Sequence, residues 1–300
     1  MHGGPAIEVD GLTKTYGETL ALDNLSLSVA QGEVFALLGP NGAGKTTAVE
    51  ILEGYRRPDS GETLVLGRDP QRSRRELRSM TGVMLQEGGL YPGIRVGEAL
   101  RLFTSYYRDA AEPAALIDRV GLSDRARASV RSLSTGERQR LSLALAIVGR
   151  PKVAFLDEPT AGMDPRGRSD TWDIVRDLRA EGATVLVTTH LLEEAERLAD
   201  RIAIIDRGRL VAAGRPAELG RPANRMAFRT DRVIDTTALA GALGAAVEQS
   251  PDGSYEVPGP PAPERIARLA AWLESNGVLL THLDSAGESL EDLYLRLTAP

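Results

Sequence analysis

The sequence predicts an α/β fold: a parallel, mostly buried sheet covered by helices, followed by a small C-terminal α+β extension. Three observations predict it. Short apolar runs recur at EVFALLG (33–39), VAFLD (153–157) and ATVLVTTH (183–190), with helical patterns between them. These runs do not alternate, as expected for strands buried on both faces. A shift in composition at GRPAELGRPAN (214–224) then sets off a tail with its own pattern. The chain has 300 residues, 42% hydrophobic and 26% charged, which is enough for a sizeable core and more than one average domain.

Taken in order, IEVDGLTKTY (7–16) and NLSLSV (24–29) read as short strands before the first buried run. A helix is expected from Lys45 through Leu52, stopped by Gly54 and Pro58. TLVLG (63–67) is a further strand. Residues 68–79 carry five arginines, but Asp69 and Glu76 are interleaved, so a solvated helix face is preferred to an anion patch. Residues 96–148 are mostly helical in pattern, and a helix is expected from Gly167 to Ala180. RIAIIDRGRLVAAG (201–214) reads as a hairpin around Asp206–Gly208. Beyond 225 the pattern gives strand, helix, a hairpin turned by Pro251-Asp252-Gly253, helix, strand and a last helix. The helix near Pro263 is expected to bury Ile266, Leu269, Ala270 and Leu273 and to stop at Asn276-Gly277. PGPPAP (258–263) is a short stiff loop.

Bulk charge narrows the partners. With 36 basic against 42 acidic side chains the net charge is −6, which disfavours nucleic acid. Cysteine is absent, excluding disulfides and thiolate metal sites and fitting a reducing compartment. No basic-then-apolar leader opens the chain, and no apolar run reaches the length of a membrane span. The expectation is a chain soluble by itself that can dock on a membrane partner.

The firmest chemical signal is Gly39-Pro40-Asn41-Gly42-Ala43-Gly44-Lys45-Thr46, followed by Thr47, which matches the phosphate-binding loop G-x-x-x-x-G-K-[ST] of P-loop NTPases. Glycines let the backbone curl so that successive N–H groups face a phosphate, and the helix that follows adds its positive end. Lys45 can reach the outer phosphates of a nucleoside triphosphate and Thr46 can ligate Mg²⁺. Only three lysines occur in the chain, Lys14, Lys45 and Lys152, so the placement of one here is pointed. A plain glycine-rich turn is the alternative, and the strand before and helix after speak against it.

Asp157 and Glu158 end the run VAFLDE, at the edge where an open α/β sheet takes its ligand. Asp157 can hold Mg²⁺ through its water shell. Glu158, expected on the other side of the strand, can orient and deprotonate an attacking water. A surface turn is the alternative, since Pro159 follows. His190 closes the next run and can donate to a γ-phosphate; His2 and His282 have no comparable context. Finally, SLSTGERQR (132–140) reads as a helix start capped by Ser134 and Glu137. It is a second anion-reading element, remote in sequence from the first.

In this order the motifs resemble the ATP-binding subunit of an ABC transporter, from about Ile7 to Gly214. The resemblance implies a P-loop core with an antiparallel β subdomain and a helical subdomain (about 87–140), a nucleotide-binding domain over 1–220 and an accessory domain over 221–300. It implies that Tyr16 stacks on adenine, that Gln86 in GVMLQEGG links the Mg²⁺ site to a permease, and that Asp164 in AGMDP, the loop after the carboxylates, contacts ATP held by a second copy. SLSTGERQR falls at the family's signature loop, usually LSGGQ. There Ser134 and the Gly136 backbone would read the γ-phosphate bound to a second copy, in a head-to-tail pair holding two ATP molecules. Thr135 and Glu137 depart from the usual glycine and glutamine; Thr135 is a modest change only at negative φ, and Glu137 sets a negative charge where phosphate is to bind. LQEGGLYPGIRVGEALRLF and SLEDLYLRLT look like the drug- and lipid-exporting branch, whose ATPase is a separate chain.

The implied function is an ATPase that powers export through a separate integral-membrane permease. Its catalytic residues would be Glu158, His190, Lys45 and Gln86, its cofactors ATP and Mg²⁺ (Thr46, Gln86, Asp157), and its place the cytoplasmic face of the membrane. A ribosome- or DNA-acting relative would be expected to carry two nucleotide sites or a long coiled coil, and neither is visible. A non-hydrolysing sensor would not need Glu158 and His190. A GTPase should show N-K-x-D, which no lysine here provides.

Overall fold

The computed structural model describes residues 4–84, 91–219, 225–250, 253–259, 261–284 and 289–298. Gln86, Pro251, Asp252, Pro260 and His2 lie outside the described residues. The chain divides into two compact units, residues 1–216 with 297–300, and residues 217–296.

In the first unit, β1 (Ile7–Tyr16) and β2 (Thr19–Val29) form an antiparallel pair. β3 (Val34–Leu38) leads through the glycine-rich loop into α1 (Lys45–Leu52), and β4 (Ser60–Val65) returns to pair with β1. Next come α2 (Arg74–Leu77), β5 (Thr81–Met84), α3 (Val96–Thr104), α4 (Pro113–Arg119) and α5 (Thr135–Ile147). β6 (Val153–Asp157), α6 (Pro165–Ala180), β7 (Thr184–Thr189), α7 (Leu192–Leu198), β8 (Arg201–Asp206) and β9 (Arg209–Gly214) follow. Among the described residues one sheet has the order β2-β1-β4 and the other β5-β6-β7-β3-β8-β9, parallel except for β9.

The apolar runs are non-alternating because each strand feeds two cores. Every residue of β3, β6 and β7 is buried. Phe35, Phe155 and Leu186 pack with α1 and the β1–β2–β4 sheet, whereas Leu156, Val185 and Val187 pack with α3, α5 and α6. Parallel register then aligns the C-terminal ends: Leu38 lies beside Thr189, and Asp157 beside Thr188. The β8–β9 hairpin turns on Arg207 and Gly208, at φ 47° and 78°, the mirror-image turn that matches strand twist.

Two boundaries differ from expectation. The arginine-rich stretch is helical only over Arg74–Leu77; Arg68 pairs with Glu76 at 2.8 Å and Arg72 with Asp69 at 3.3 Å, in keeping with a solvated surface. α6 starts at Pro165, two residues early, because Asp164 caps it and a first-turn proline has no N–H to lose.

Glu53, at the C-terminal end of α1, has a buried Oε1 without a hydrogen-bond partner among the described residues. Burial, with the charges of Asp157 and Glu50, pushes its carboxyl from 4.5 up to about 8. The unfolded chain loses this proton near the ordinary value and the native chain only near the raised one. Stability is therefore lost as pH rises through that window. Glu53→Gln should be level with the parent near pH 4.5 and more stable by on the order of 3 kcal/mol near pH 8.5, read by urea unfolding. Parallel pH profiles for the two proteins would contradict this.

α8 (Pro216–Leu219) bridges the two units in sequence. The second unit comprises β10 (Arg225–Thr230), α9 (Thr236–Leu243), β11 (Glu248–Gln249), β12 (Tyr255–Pro258), α10 (Pro263–Ser275), β13 (Leu280–Asp284) and most of α11 (Leu290–Leu297). Its sheet, β11-β12-β10-β13, is antiparallel throughout, and with α9 and α10 it makes a ferredoxin-like βαββαβ arrangement. Met226, Phe228, Tyr255 and Val257 meet Leu239, Leu243, Leu269 and Leu273 in its core. Ala270 is exposed, contrary to expectation. The packed stripe of α10 centres on Leu269 and extends to Trp272, which leaves Ala270 about 100° round the helix.

Candidate active site

The glycine-rich loop takes its shape from the strands that wall it. Gly44 precedes α1 at φ 103°, and a Cβ there would lie 2.4 Å from the Ala21 carbonyl oxygen. Gly39 approaches β8 equally closely, its Cβ position 2.4 Å from the Ile205 carbonyl oxygen. The Gly208 N–H of the β8–β9 turn donates to the Ala43 carbonyl at 3.0 Å, so the hairpin braces the loop. Among the described residues no side chain caps α1, which leaves its first-turn N–H groups for a ligand at the helix's positive end. Asn41, Gly42 and Thr46 are exposed, Pro40 and Thr47 half-buried, and Ala43 buried.

Lys45 lies folded into this loop, only 5% exposed. Its Nζ donates to the carbonyls of Gly39 at 2.8 Å and Pro40 at 3.1 Å. Burial lowers its pKa, and the nearby charges of Glu158 and Asp157 oppose that shift. Asp157, at the end of β6, accepts from Thr46 Oγ1 at 3.1 Å and from the Thr188 hydroxyl. Burial raises the Asp157 pKa, partly offset by those two hydrogen bonds. Hydroxyl and carboxylate oxygens side by side form a hard, all-oxygen donor set, suited to Mg²⁺ shared with phosphates. Among the described residues no group of three or more His, Asp or Glu could hold a metal ion.

Glu158 corrects one expectation. Strand alternation does not aim it, because β6 ends at Asp157. Instead it sits at φ 48°, a left-handed conformation costly for a non-glycine residue. The conformation is held by Thr188, whose carbonyl and hydroxyl both accept from the Glu158 N–H at 3.1 Å. The Glu158 side chain, 12% exposed, then meets His190, with Oε1 3.1 Å from Nδ1. His190 follows directly after β7. Such strain persists where the neighbours over-determine the conformation.

Tyr16 ends β1 and is 38% exposed, with Lys14 Nζ 5.5 Å and Arg56 5.3 Å from its ring centroid. The signature-loop residues lie elsewhere. Ser134 caps α5, accepting from the Glu137 N–H at 3.2 Å, while Glu137 accepts from the Ser134 N–H at 2.8 Å. Thr135 is the first residue of α5 and is not among the positive-φ residues, so its replacement of glycine brings no strain. This loop abuts the turn before α6: Gly162 lies against Thr135, Gly136 against Met163, and Asp164 caps α6 through Gly167 at 3.1 Å. Among the described residues no hydrogen bond or ion pair joins Ser134, Gly136 or Asp164 to residues 39–47. Of the predicted residues that are described, Gly39–Thr47, Asp157, Glu158 and His190 are brought together, Ser134, Gly136 and Asp164 adjoin one another, and Tyr16 stands outside both groups, with Lys14 and Arg56 over its ring.

Two contributors were missed by sequence reasoning. Thr188 holds both carboxylate positions, and its only local signal was its place two residues before His190. Glu194, 1% exposed, accepts from Thr160 Oγ1 at 2.8 Å and Trp172 Nε1 at 3.1 Å, tying α7 to α6 and to the turn after Glu158. Its sequence context, LEEAERL, looks like any solvated helix.

The chain is similar to known proteins. A family model described as ABC transporter matches residues 22–161. A daunorubicin resistance ATP-binding protein of Streptomyces coeruleorubidus is 40% identical over 304 residues, covering 97% of this chain and 92% of that protein. A Nod factor export ATP-binding protein I of Ralstonia nicotianae is 37% identical over 305 residues, covering 98% and 94%. A solved dimeric structure of an ATP-binding cassette, in a post-hydrolysis state with ADP and Pi, superposes with a TM-score of 0.64 at 25% identity, over 70% of this chain and 98% of that one. The chain therefore belongs to the ABC transporter family, in which it carries an ATP-binding cassette.

Proposed function

We propose that this chain is the ATP-hydrolysing subunit of an ABC exporter, acting on a permease that is a separate chain. One observation carries the reading: Lys45, Thr46, Asp157, Glu158 and His190 converge at one sheet edge around a helix start with no cap of its own. Residues 1–220 form its nucleotide-binding domain, with a helical subdomain over about 87–140, and residues 221–300 its accessory domain. The exporter assignment follows the curated relatives, named for drug resistance and Nod factor export. No helix among the described residues is long and apolar enough to cross a membrane. The chain works on the cytoplasmic face, held there by its permease.

In this mechanism a triphosphate enters the loop and offers Lys45 charged acceptors in place of the Gly39 and Pro40 carbonyls. Tyr16 stacks on adenine. Thr46 and Asp157 would hold Mg²⁺, with Gln86 as a further ligand, and the bound ion would neutralise charge on the phosphate oxygens. Glu158 takes a proton from the attacking water. His190, steadied at Nδ1 by Glu158, turns its other ring nitrogen to the γ-phosphate, and as an imidazolium it donates at both. Ser134, Gly136 and Asp164 act on ATP held by a second copy, as their separation from the chain's own loop supports. Two copies then face head to tail, and hydrolysis removes the phosphate that both were gripping.

Phosphate release from the purified chain with its permease tests this reading. Lys45→Ala should lower the rate about 10²-fold or more, and the chain should be recovered with membranes carrying the permease. Undiminished release, or co-sedimentation with ribosomes instead of membranes, would contradict it.

A further inference from the structure

Glu137 brings a carboxylate into the first turn of α5, where the proposed function requires the loop to read a γ-phosphate. Helix geometry explains why it is tolerated at the cap, but not why it does not repel the nucleotide. Both carboxylate oxygens are engaged. Oε2 accepts from the Ser134 N–H at 2.8 Å, and Oε1 accepts from Arg125 Nε at 2.8 Å. The Glu137 side chain is 15% exposed and that of Arg125 49%. Arg125 comes from a separate short 3₁₀ turn, Ser123–Arg125, so the pair links two segments of the helical region. Arg138 does not substitute for it, since its guanidinium binds the Leu133 carbonyl and Thr135 Oγ1.

We propose that Arg125 is a positioning residue for the signature loop: it neutralises Glu137 and holds it back against its own cap, so that Ser134 and the Gly136 backbone meet the phosphate of a second copy without a repelling charge. This inference rests on the two-copy reading above. Charge–phosphate repulsion at a partly dry surface falls off slowly enough to matter, whereas the cap itself needs only an acceptor at position 137 and survives as Gln. Removing Arg125 therefore exposes a full negative charge, and removing the charge from Glu137 makes Arg125 dispensable.

The test uses the full chain in a Glu158→Gln background, which holds ATP, and reads pairing by sedimentation as Mg–ATP is titrated. Arg125→Gln should raise the ATP concentration for half-maximal pairing about three- to tenfold. Adding Glu137→Gln to Arg125→Gln should bring it back to within about twofold of the background protein. Thermal unfolding of each variant separates a packing defect, which the second change would leave uncorrected. An equal ATP requirement in all variants, or an Arg125→Gln defect that Glu137→Gln leaves in place, overturns the role of Arg125 while leaving pairing intact. A background protein that binds ATP yet never pairs overturns the two-copy reading itself, and Arg125 with it.

Discussion

Glu158→Gln should lower phosphate release by about 10²–10⁴-fold while ATP remains bound. The substitution keeps the size of the side chain and its reach to His190 Nδ1, now 3.1 Å from Oε1. It removes the capacity to accept a proton, together with the negative charge that Lys45 and His190 face. The backbone at φ 48° is held by the Thr188 carbonyl and hydroxyl, which the change does not touch. Binding groups, Lys45 and the N-terminus of α1, are likewise untouched, so the loss should fall on kcat and not on ATP affinity. Steady-state rates with equilibrium ATP binding measure this split. Loss of binding in parallel with turnover would mean that Glu158 shapes the pocket instead of acting on water. In the same protein, pairs of subunits should accumulate in Mg–ATP, since the bond whose cleavage separates them stays whole.

The second large effect is expected at Gly44. An alanine there would hold φ 103°, a region closed to L side chains, and would drive its Cβ to 2.4 Å from the Ala21 carbonyl oxygen and 2.9 Å from Leu22 Cδ2. Backbone cannot move aside as a side-chain tip can. Strain and overpacking together should cost about 3 kcal/mol or more, and any relief must come from displacing the loop, so ATP affinity should fall at least about tenfold. Gly42 supplies the control. It too has positive φ, 82°, but its Cβ would meet nothing within 4 Å among the described residues. Gly42→Ala should cost only about 1 kcal/mol. Urea unfolding and ATP titration of both variants decide the matter; equal losses would show that conformation alone, and not contact with β2, sets the need for glycine.

What could be read in advance follows from what each piece of chemistry demands of the chain. A phosphate loop needs contiguous residues, so Gly39–Thr46 was legible whole, and α1 runs from Lys45 to Leu52 as its pattern required. Buried parallel strands have unbroken apolar runs, so β3, β6 and β7 were legible too. The supports were not. Thr188 lies 31 positions from Asp157 and meets it only through parallel register. Glu194 looks like a surface residue until α6 and α7 pack together. The direction of Glu158 depends on one left-handed φ, which no alternation rule supplies. Ala270 was misplaced for a related reason: where the buried stripe of α10 is centred depends on what Trp272 touches across the second unit.

The bracing of the loop by Ala21, Ile205 and Gly208 has a bearing on biosynthesis. The walls of the pocket come from near both ends of the first unit, so a chain still on the ribosome, with β8 and β9 not yet made, owns the whole glycine-lysine stretch but lacks the surfaces that shape it. Nucleotide capture should therefore switch on late and abruptly, and unfinished or truncated subunits would not squander cellular ATP.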